Sequence, residues 1–235
     1  MRVLLASALI ALVLAGCGSA RVPMRESTRA YTASDYGGVY GRWTRASDEF
    51  EFGRLSEIAH ITATFESWEF RWAYVVRYAA DHSFSTEERT RLLEESLEDA
   101  RLRHRFFFTI ASPRWRETEL QGRESDWRVL LVDPTGRQVE PVELTPIARP
   151  SADQRVYFPS ISRQRHTYRV AFPAQHTDGT PTIPPDADHV LLRFASARGT
   201  VDLRWDIERP ADAENVEGEV APATEESASE HDNEG

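Results

Sequence analysis

Two carboxylates beside a tryptophan are the residues whose spacing most directly suggests chemistry. Glu66 and Glu69 are three positions apart and flank Trp68 in an aromatic-rich segment. An aromatic wall can raise the pKa of a carboxyl group until it serves as a general acid, and paired carboxylates cleave glycosides. The alternative is ordinary ion pairing of both carboxylates with arginine.

Other motifs for catalysis or metal binding are missing from the sequence. It contains no Gly-x-Ser-x-Gly elbow, phosphate loop or dinucleotide fingerprint, and its one cysteine is Cys17. None of the seven histidines has a metal-binding spacing. They are His60, His82, His104, His166, His176, His189 and His231. The sequence therefore predicts a non-enzymatic protein with no metal and no cofactor.

Aromatic residues crowd the segment that contains the two carboxylates. On a helix, Phe70 and Tyr74 are four positions apart and lie off the main apolar stripe. One interpretation is an exposed interaction patch of Trp68, Phe70 and Tyr74 that binds a protein or a glycan. The alternative is that a second helix or residues 38–54 cover these side chains.

The N-terminus carries a targeting pattern. Arg2 precedes an apolar run that ends in Leu14-Ala15-Gly16-Cys17, and the run is too short for a membrane-spanning helix. This pattern resembles the lipobox of bacterial lipoproteins. An ordinary signal peptide followed by an unrelated cysteine is the alternative.

The resemblance implies that residues 1–16 are a signal peptide, cleaved between Gly16 and Cys17. In bacterial lipoproteins the thiol is joined to diacylglycerol and the new amino group is acylated, so Cys17 is the expected lipidation site. A lone cysteine in a secreted protein needs such an explanation. Gly18 stands where inner-membrane lipoproteins commonly have Asp, which implies an anchor in the outer membrane. The lipid bilayer is thus an expected partner.

Charge is unevenly distributed along the chain. The formal net charge is −10, and all 28 basic residues are arginine. Residues 210–235 contain nine acidic residues and no arginine, whereas residues 18–209 are close to neutral. Nucleic-acid binders carry a basic footprint, so no nucleic-acid partner is expected. Residues 210–235 are predicted to be a disordered, solvating acidic tail, and binding of cations or of a basic partner is the alternative.

Between the cysteine and this tail the pattern changes twice. Residues 17–37 are predicted to be the lipidated cysteine and a polar tether. Residues 38–103 are predicted to contain an aromatic-rich segment and a helical hairpin. The spacing of apolar residues favours a helix from Leu55, although a strand at 60–65 followed by a helix is also open.

The second helix of the hairpin has a clear start signal. Ser85 with Glu88 matches a capping box. Glu87 with Arg91 is spaced for pairing on the exposed face of this helix. The short loop at 81–85 predicts that the two helices are antiparallel neighbours.

Residues 104–209 follow the period of two that is typical of strands. The predicted strands are His104–Ala111, Trp127–Asp133, Gln138–Leu144, Arg155–Phe158, His166–Phe172, His189–Ala195 and Val201–Ile207. Pro141 is expected to place the third at an edge or a bulge. Short strands separated by Pro/Gly turns favour a β-sandwich. The predicted fold is α+β, with an N-terminal helical hairpin followed by an antiparallel immunoglobulin-like β-sandwich.

These patterns predict a function of binding or assembly. The expected protein is a non-enzymatic, membrane-anchored envelope lipoprotein with an envelope protein as its partner. The alternative is a hydrolase or carbohydrate-binding module that acts on cell-envelope polymers. Convergence of Glu66 and Glu69 with histidines in one cleft would favour that alternative.

Overall fold

The computed structural model describes residues 21–24, 26, 29–51, 56–113, 115–121, 125 and 127–208. The predicted signal peptide, Cys17 and residues 210–235 lie outside the described residues. Within the described part the chain mixes helix with antiparallel sheet. The α-helices there are α1 (Tyr36–Trp43), α2 (Trp68–Asp81), α3 (Thr86–Leu102) and α4 (Ala152–Tyr157). None of the described helices is both long and apolar enough to cross a membrane.

Nine described strands form two sheets. The strands are β1 (Thr44–Glu51), β2 (Ser56–Phe65), β3 (Arg103–Ala111), β4 (Trp127–Val132), β5 (Gln138–Val139), β6 (Glu143–Pro146), β7 (His166–Pro173), β8 (His189–Ser196) and β9 (Gly199–Asp206). The five-stranded sheet has the order β1-β2-β3-β7-β6, and the four-stranded sheet has the order β5-β4-β8-β9.

Aromatic rings join the two sheets. Phe106 of β3 lies 5.4 Å from the Trp205 ring of β9, and Phe108 lies 5.0 Å from Phe194 of β8. The Trp205 indole N–H also donates to the carbonyl of Trp43 at 2.9 Å. The alternation predicted for β9 is confirmed, because Val201, Leu203 and Trp205 are all buried while Asp202 and Arg204 are exposed. Burial of these side chains supplies the main stabilisation of the core.

The helix predicted from Leu55 begins later than its apolar spacing suggests. Residues 56–65 form β2, and the helix starts at Trp68. Ser67 is the N-cap of this helix, and its side chain accepts the Phe70 N–H. The spacing is ambiguous because Ile61, Ala63 and Phe65 also alternate along a strand, and all three side chains are buried. The strand-then-helix alternative is therefore the correct one.

Along the chain, the two long helices α2 and α3 come between β2 and β3 of the five-stranded sheet. The capping box predicted at Ser85 and Glu88 is confirmed at the start of α3, and α3 contacts α2. However, β2 precedes these helices and pairs with β3, which follows them. The helices are thus an insertion into the five-stranded sheet rather than a unit that precedes both sheets.

Two predicted strands differ from the structure. The segment predicted as a strand at Arg155–Phe158 belongs to α4, because Ser151 and Gln154 form a capping box that starts a helix. The strand predicted at Gln138–Leu144 is divided near Pro141. Its first part, β5, pairs with β4, and its second part, β6, pairs with β7 in the other sheet.

The predicted tether packs against the folded body over its described part. Val22 is buried, donates its N–H to the Asp206 carbonyl at 2.8 Å and accepts the Glu208 N–H at 3.0 Å. Tyr31 is also buried. The prediction of a tether over residues 17–37 is therefore wrong at Val22 and Tyr31. An irregular segment can be anchored by a few apolar residues that have no period.

Candidate functional site

The predicted aromatic patch is largely covered. Phe70 is 2% exposed and Trp68 is 9% exposed, while Tyr74 is half-buried. The Tyr36 ring lies 5.9 Å from Phe70 and 6.2 Å from Tyr74. The Tyr157 ring lies 5.1 Å from Tyr74. The three residues therefore do not form an open patch, and α1 and α4 cover Phe70 and Tyr74.

Glu69 ties the N-terminal segment to α2. Its buried carboxylate accepts hydrogen bonds from Trp43 Nε1 at 2.7 Å, Arg42 Nη1 at 2.9 Å and the Tyr31 hydroxyl at 3.2 Å. Burial and the charge of Glu69 raise the pKa of Tyr31 to about 12, so this hydroxyl stays protonated and able to donate. These contacts make Glu69 a structural carboxylate.

Glu66 is paired elsewhere. Its Oε1 accepts from Arg169 Nε at 3.1 Å and from Arg169 Nη2 at 2.9 Å. Glu66 and Glu69 therefore bind different partners, and the arginine pairing considered from the sequence is what the structure shows for both. The convergent carboxylate pair needed by the hydrolase alternative is not formed by these two residues.

A cleft of about 400 Å³ next to Glu66 contains a charge network that joins the helices to the sheet. Asp99 of α3 accepts from Arg71 at 2.7 Å, and from Arg105 of β3 at 2.7 and 3.0 Å. Burial acts to raise the pKa of Asp99, but the hydrogen bonds from Arg105 and Arg71 outweigh it and lower the pKa to about 2. Three arginines and two carboxylates line this cleft, and Asp99 joins α3 to α2 through Arg71 and to β3 through Arg105.

A larger cavity of about 550 Å³ has a different character. Its lining includes Arg155, Arg163, Arg165 and His166, and no aspartate or glutamate lines it. Within the described residues, neither Arg155 nor Arg163 is paired with a carboxylate. We call this space the basic cavity. In a chain with a net charge of −10, such a concentration of cations identifies a candidate binding site for an anionic group.

Several elements converge to build the basic cavity. Arg155 comes from α4, and Arg163 and Arg165 come from the turn that leads into β7. Arg165 Nη1 donates to Thr62 Oγ1 at 3.0 Å and to Thr109 Oγ1 at 3.4 Å, which holds this side chain against β2 and β3. Arg155 and Arg163 are exposed and so can reach a ligand.

Trp115 and apolar side chains complete the cavity wall. The Trp115 ring is 44% exposed and lies 3.7 Å from the His166 ring, measured between centroids. Burial lowers the pKa of His166. A hydrogen bond with the Trp115 backbone acts to raise this pKa, but the effect of burial is larger. The positive charge at neutral pH is therefore supplied by the arginines. Ile147 and Ile161 add apolar surface, so the cavity suits an anionic group with apolar neighbours.

The sequence contained part of the signal for this site. Arg163, Arg165 and His166 form a basic cluster within four residues. Arg155 and Trp115 are distant from this cluster in sequence, and the sequence predicts a strand at Arg155–Phe158. Their approach to the cluster depends on how α4 and the β3–β4 connection pack.

Metal binding has no support in the described residues. No group of three or more His, Cys, Asp or Glu side chains lies close enough there to hold a metal ion. Among the described histidines, only His166 lines the basic cavity. The described side chains therefore give no reason to assign a metal to either the cleft or the cavity.

Comparison with known proteins gives a distant structural similarity. No family model matches the chain, and no curated protein matches it in sequence. A crystal structure of a protein of unknown function from Burkholderia pseudomallei K96243 is 14% identical, with a TM-score of 0.36. The match covers 80% of this chain and 94% of that chain. A similarity at this level carries no argument about function.

Proposed function

We propose that this chain is a non-enzymatic lipoprotein of the bacterial cell envelope that binds an acidic group on a protein partner. The observation that carries the proposal is the basic cavity, whose three arginines face no lining carboxylate. Arginine forks bind carboxylates in a bidentate manner, and Trp115 with Ile147 and Ile161 offers apolar contact beside them. This combination suits recognition of an acidic protein segment.

The proposal includes the finer description of the fold. We interpret the two sheets, joined by the Phe106–Trp205 and Phe108–Phe194 contacts, as the layers of an immunoglobulin-like β-sandwich. The helices α2 and α3 form a hairpin on its side. Domains of this architecture commonly carry binding sites in the segments that connect their strands.

The address rests on the lipobox resemblance at Leu14-Ala15-Gly16-Cys17. Diacylglycerol and an N-acyl chain on Cys17 would hold the protein in the outer membrane. Val22, the first buried residue in the described part of the chain, is five residues from Cys17, so an extended chain allows at most about 18 Å between them. The body would therefore be held close to the membrane surface.

The basic cavity lies away from this attachment. Glu26 pairs with Arg101 beside the start of β3, whereas Arg165 contacts Thr109 near the end of that strand. Seven residue-to-residue steps along β3, from Arg103 to Ile110, separate these places by about 23 Å. A partner could therefore reach the cavity without displacing the N-terminal segment.

Replacing the proposed lipidated cysteine tests the address. Cys17→Ser is expected to move the protein from the membrane pellet to the soluble fraction, because several acyl chains anchor a protein firmly. Fractionation and immunoblotting of the two cell extracts measure this shift. Ser19→Ala is the matched control and is expected to stay in the pellet. Equal partitioning of Cys17→Ser and the unaltered protein would contradict the lipid anchor.

A photo-reactive amino acid tests binding at the cavity. Placed at Val156, which is exposed next to Arg155, it is expected to cross-link one partner in intact cells. Adding Arg163→Gln should remove most of that adduct because the cavity loses a cation, whereas Arg89→Gln on the exposed face of α3 should not. The same photo-reactive residue at Glu95 is the positional control. An adduct that is equally strong from Glu95, or indifferent to Arg163→Gln, would contradict binding at this site.

A further inference from the structure

We propose that the chain's own acidic segment, residues 210–235, binds in the basic cavity. The inference concerns the same cavity as the proposed function, but it needs neither the lipid anchor nor an external partner. It assigns the cavity an intramolecular ligand that a partner's acidic group must displace.

Charge complementarity is the first support. The segment contains nine acidic residues and no arginine, while the cavity lining has three arginines and no carboxylate. Of these, Arg155 and Arg163 are exposed at the cavity, so a carboxylate can reach them without breaking a described ion pair. Residues 18–209 are close to neutral overall. The negative charge of the chain is therefore concentrated in residues 210–235.

Apolar surface gives a second match. The only branched aliphatic residues of the segment, Val216 and Val220, flank Glu217 and Glu219. The cavity likewise places Ile147 and Ile161 beside its arginines. The stretch 216–220 therefore combines two carboxylates, which can pair with the cavity arginines, with two valines, which can contact the isoleucines.

The reach of the chain permits this contact. Glu208, the last described residue, donates its N–H to Val22, which is four residues before Glu26 near the start of β3. Glu217 is nine residues beyond Glu208, and nine extended residues span about 30 Å. This exceeds the length of about 23 Å between Arg103 and Ile110 of β3. A tethered segment with this reach has an effective concentration near the millimolar range, so a weak site is enough to hold it.

Side chains rather than strand pairing would carry the recognition. The outer edge of β6 borders the cavity through Pro146, which has no N–H to donate. The Leu144 carbonyl on the same strand already accepts from Gln121 Nε2 at 3.1 Å. Addition of the segment as another strand is therefore blocked at this edge, and the arginine forks remain as the binding groups.

Protection of the segment from a glutamate-specific protease tests the inference on the full chain. Cleavage after Glu217 and Glu219 is expected to be about two- to tenfold slower in the protein than in a free synthetic peptide of residues 210–235, because cleavage follows the unbound fraction. The double variant Arg155→Gln/Arg163→Gln should restore the rate of the free peptide. Sodium chloride at about 0.5 M should also restore it, since salt screens exposed charges.

Matched controls separate binding from general effects. Arg89→Gln/Arg91→Gln removes two exposed arginines from α3 and should leave the protection unchanged. Each rate is compared with that of the free peptide under the same salt, which corrects for the protease itself. Equal cleavage of the protein and the peptide, or equal loss of protection in both double variants, would overturn the inference. The assay gives the same answer whether or not Cys17 is lipidated, so failure of the anchor proposal leaves it intact.

Discussion

Replacing Glu69 with leucine is expected to destabilise the folded protein by about 3–5 kcal/mol. The substitution removes the acceptor for Trp43 Nε1, Arg42 Nη1 and the Tyr31 hydroxyl. Two of these donors belong to buried side chains, and each buried donor without an acceptor costs about 1–3 kcal/mol. Arg42 is partly exposed and can recover some hydration, which keeps the total within that range.

Thermal unfolding followed by circular dichroism measures this loss. In a protein of this size 1 kcal/mol corresponds to about 2–4 °C, so Glu69→Leu should lower the melting temperature by about 10 °C. Glu95→Leu, on the exposed face of α3, is the matched control and should change it by less than about 2 °C. A small change for Glu69→Leu would mean that Glu69 does not join the N-terminal segment to α2.

Asp99→Asn is expected to cost about 2–3 kcal/mol at neutral pH. The carboxylate binds both Arg71 and Arg105, and the Arg71 side chain is only 8% exposed. Removal of the negative charge leaves Arg71 buried beside an uncharged partner. The partial exposure of Asp99, 31% of its side chain, keeps the cost below that of a fully buried pair.

The pH dependence gives this substitution a specific signature. The pKa of Asp99 falls from an ordinary value of 3.8 to about 2 in the folded protein. Its contribution to stability is therefore fully present above about pH 4 and is lost as the pH falls toward 2. The difference in melting temperature between the unaltered protein and Asp99→Asn should narrow over this range. Glu94→Gln, exposed on the same helix, should show no such difference, and a gap independent of pH would contradict the assignment.

Glu66 and Glu69 show why a catalytic pair predicted from spacing differs from the structure. Glu66 and Glu69 looked like a pair because they flank Trp68, yet one binds Arg169 and the other binds Tyr31, Arg42 and Trp43. A spacing of three on a helix places side chains on neighbouring positions but does not select their partners. The partners come from β7, α1 and the N-terminal segment, and their positions depend on the packing of the whole molecule.

The aromatic residues illustrate the same limit. The sequence showed that Phe70 and Tyr74 lie off the main stripe of α2, and this left both exposure and coverage open. Phe70 and Tyr74 are covered by Tyr36 and Tyr157. These belong to α1, which precedes α2 in the sequence, and to α4, which follows it. The sequence predicts a strand at Arg155–Phe158, where the structure has α4. Contact of Tyr157 with Tyr74 therefore does not follow from the sequence.

The sequence by itself determined the features that depend on neighbouring residues. These include the alternation of β9, the capping box at Ser85 and Glu88, and the acidic composition of residues 210–235. Tertiary structure alone decided that residues 60–65 pair with β3 as a strand and that Val22 packs on the body. It also brought Arg155 and Trp115 to the Arg163–His166 cluster. The physical reason is that capping and alternation act over a few residues, whereas strand pairing and the convergence of charges depend on contacts between distant segments.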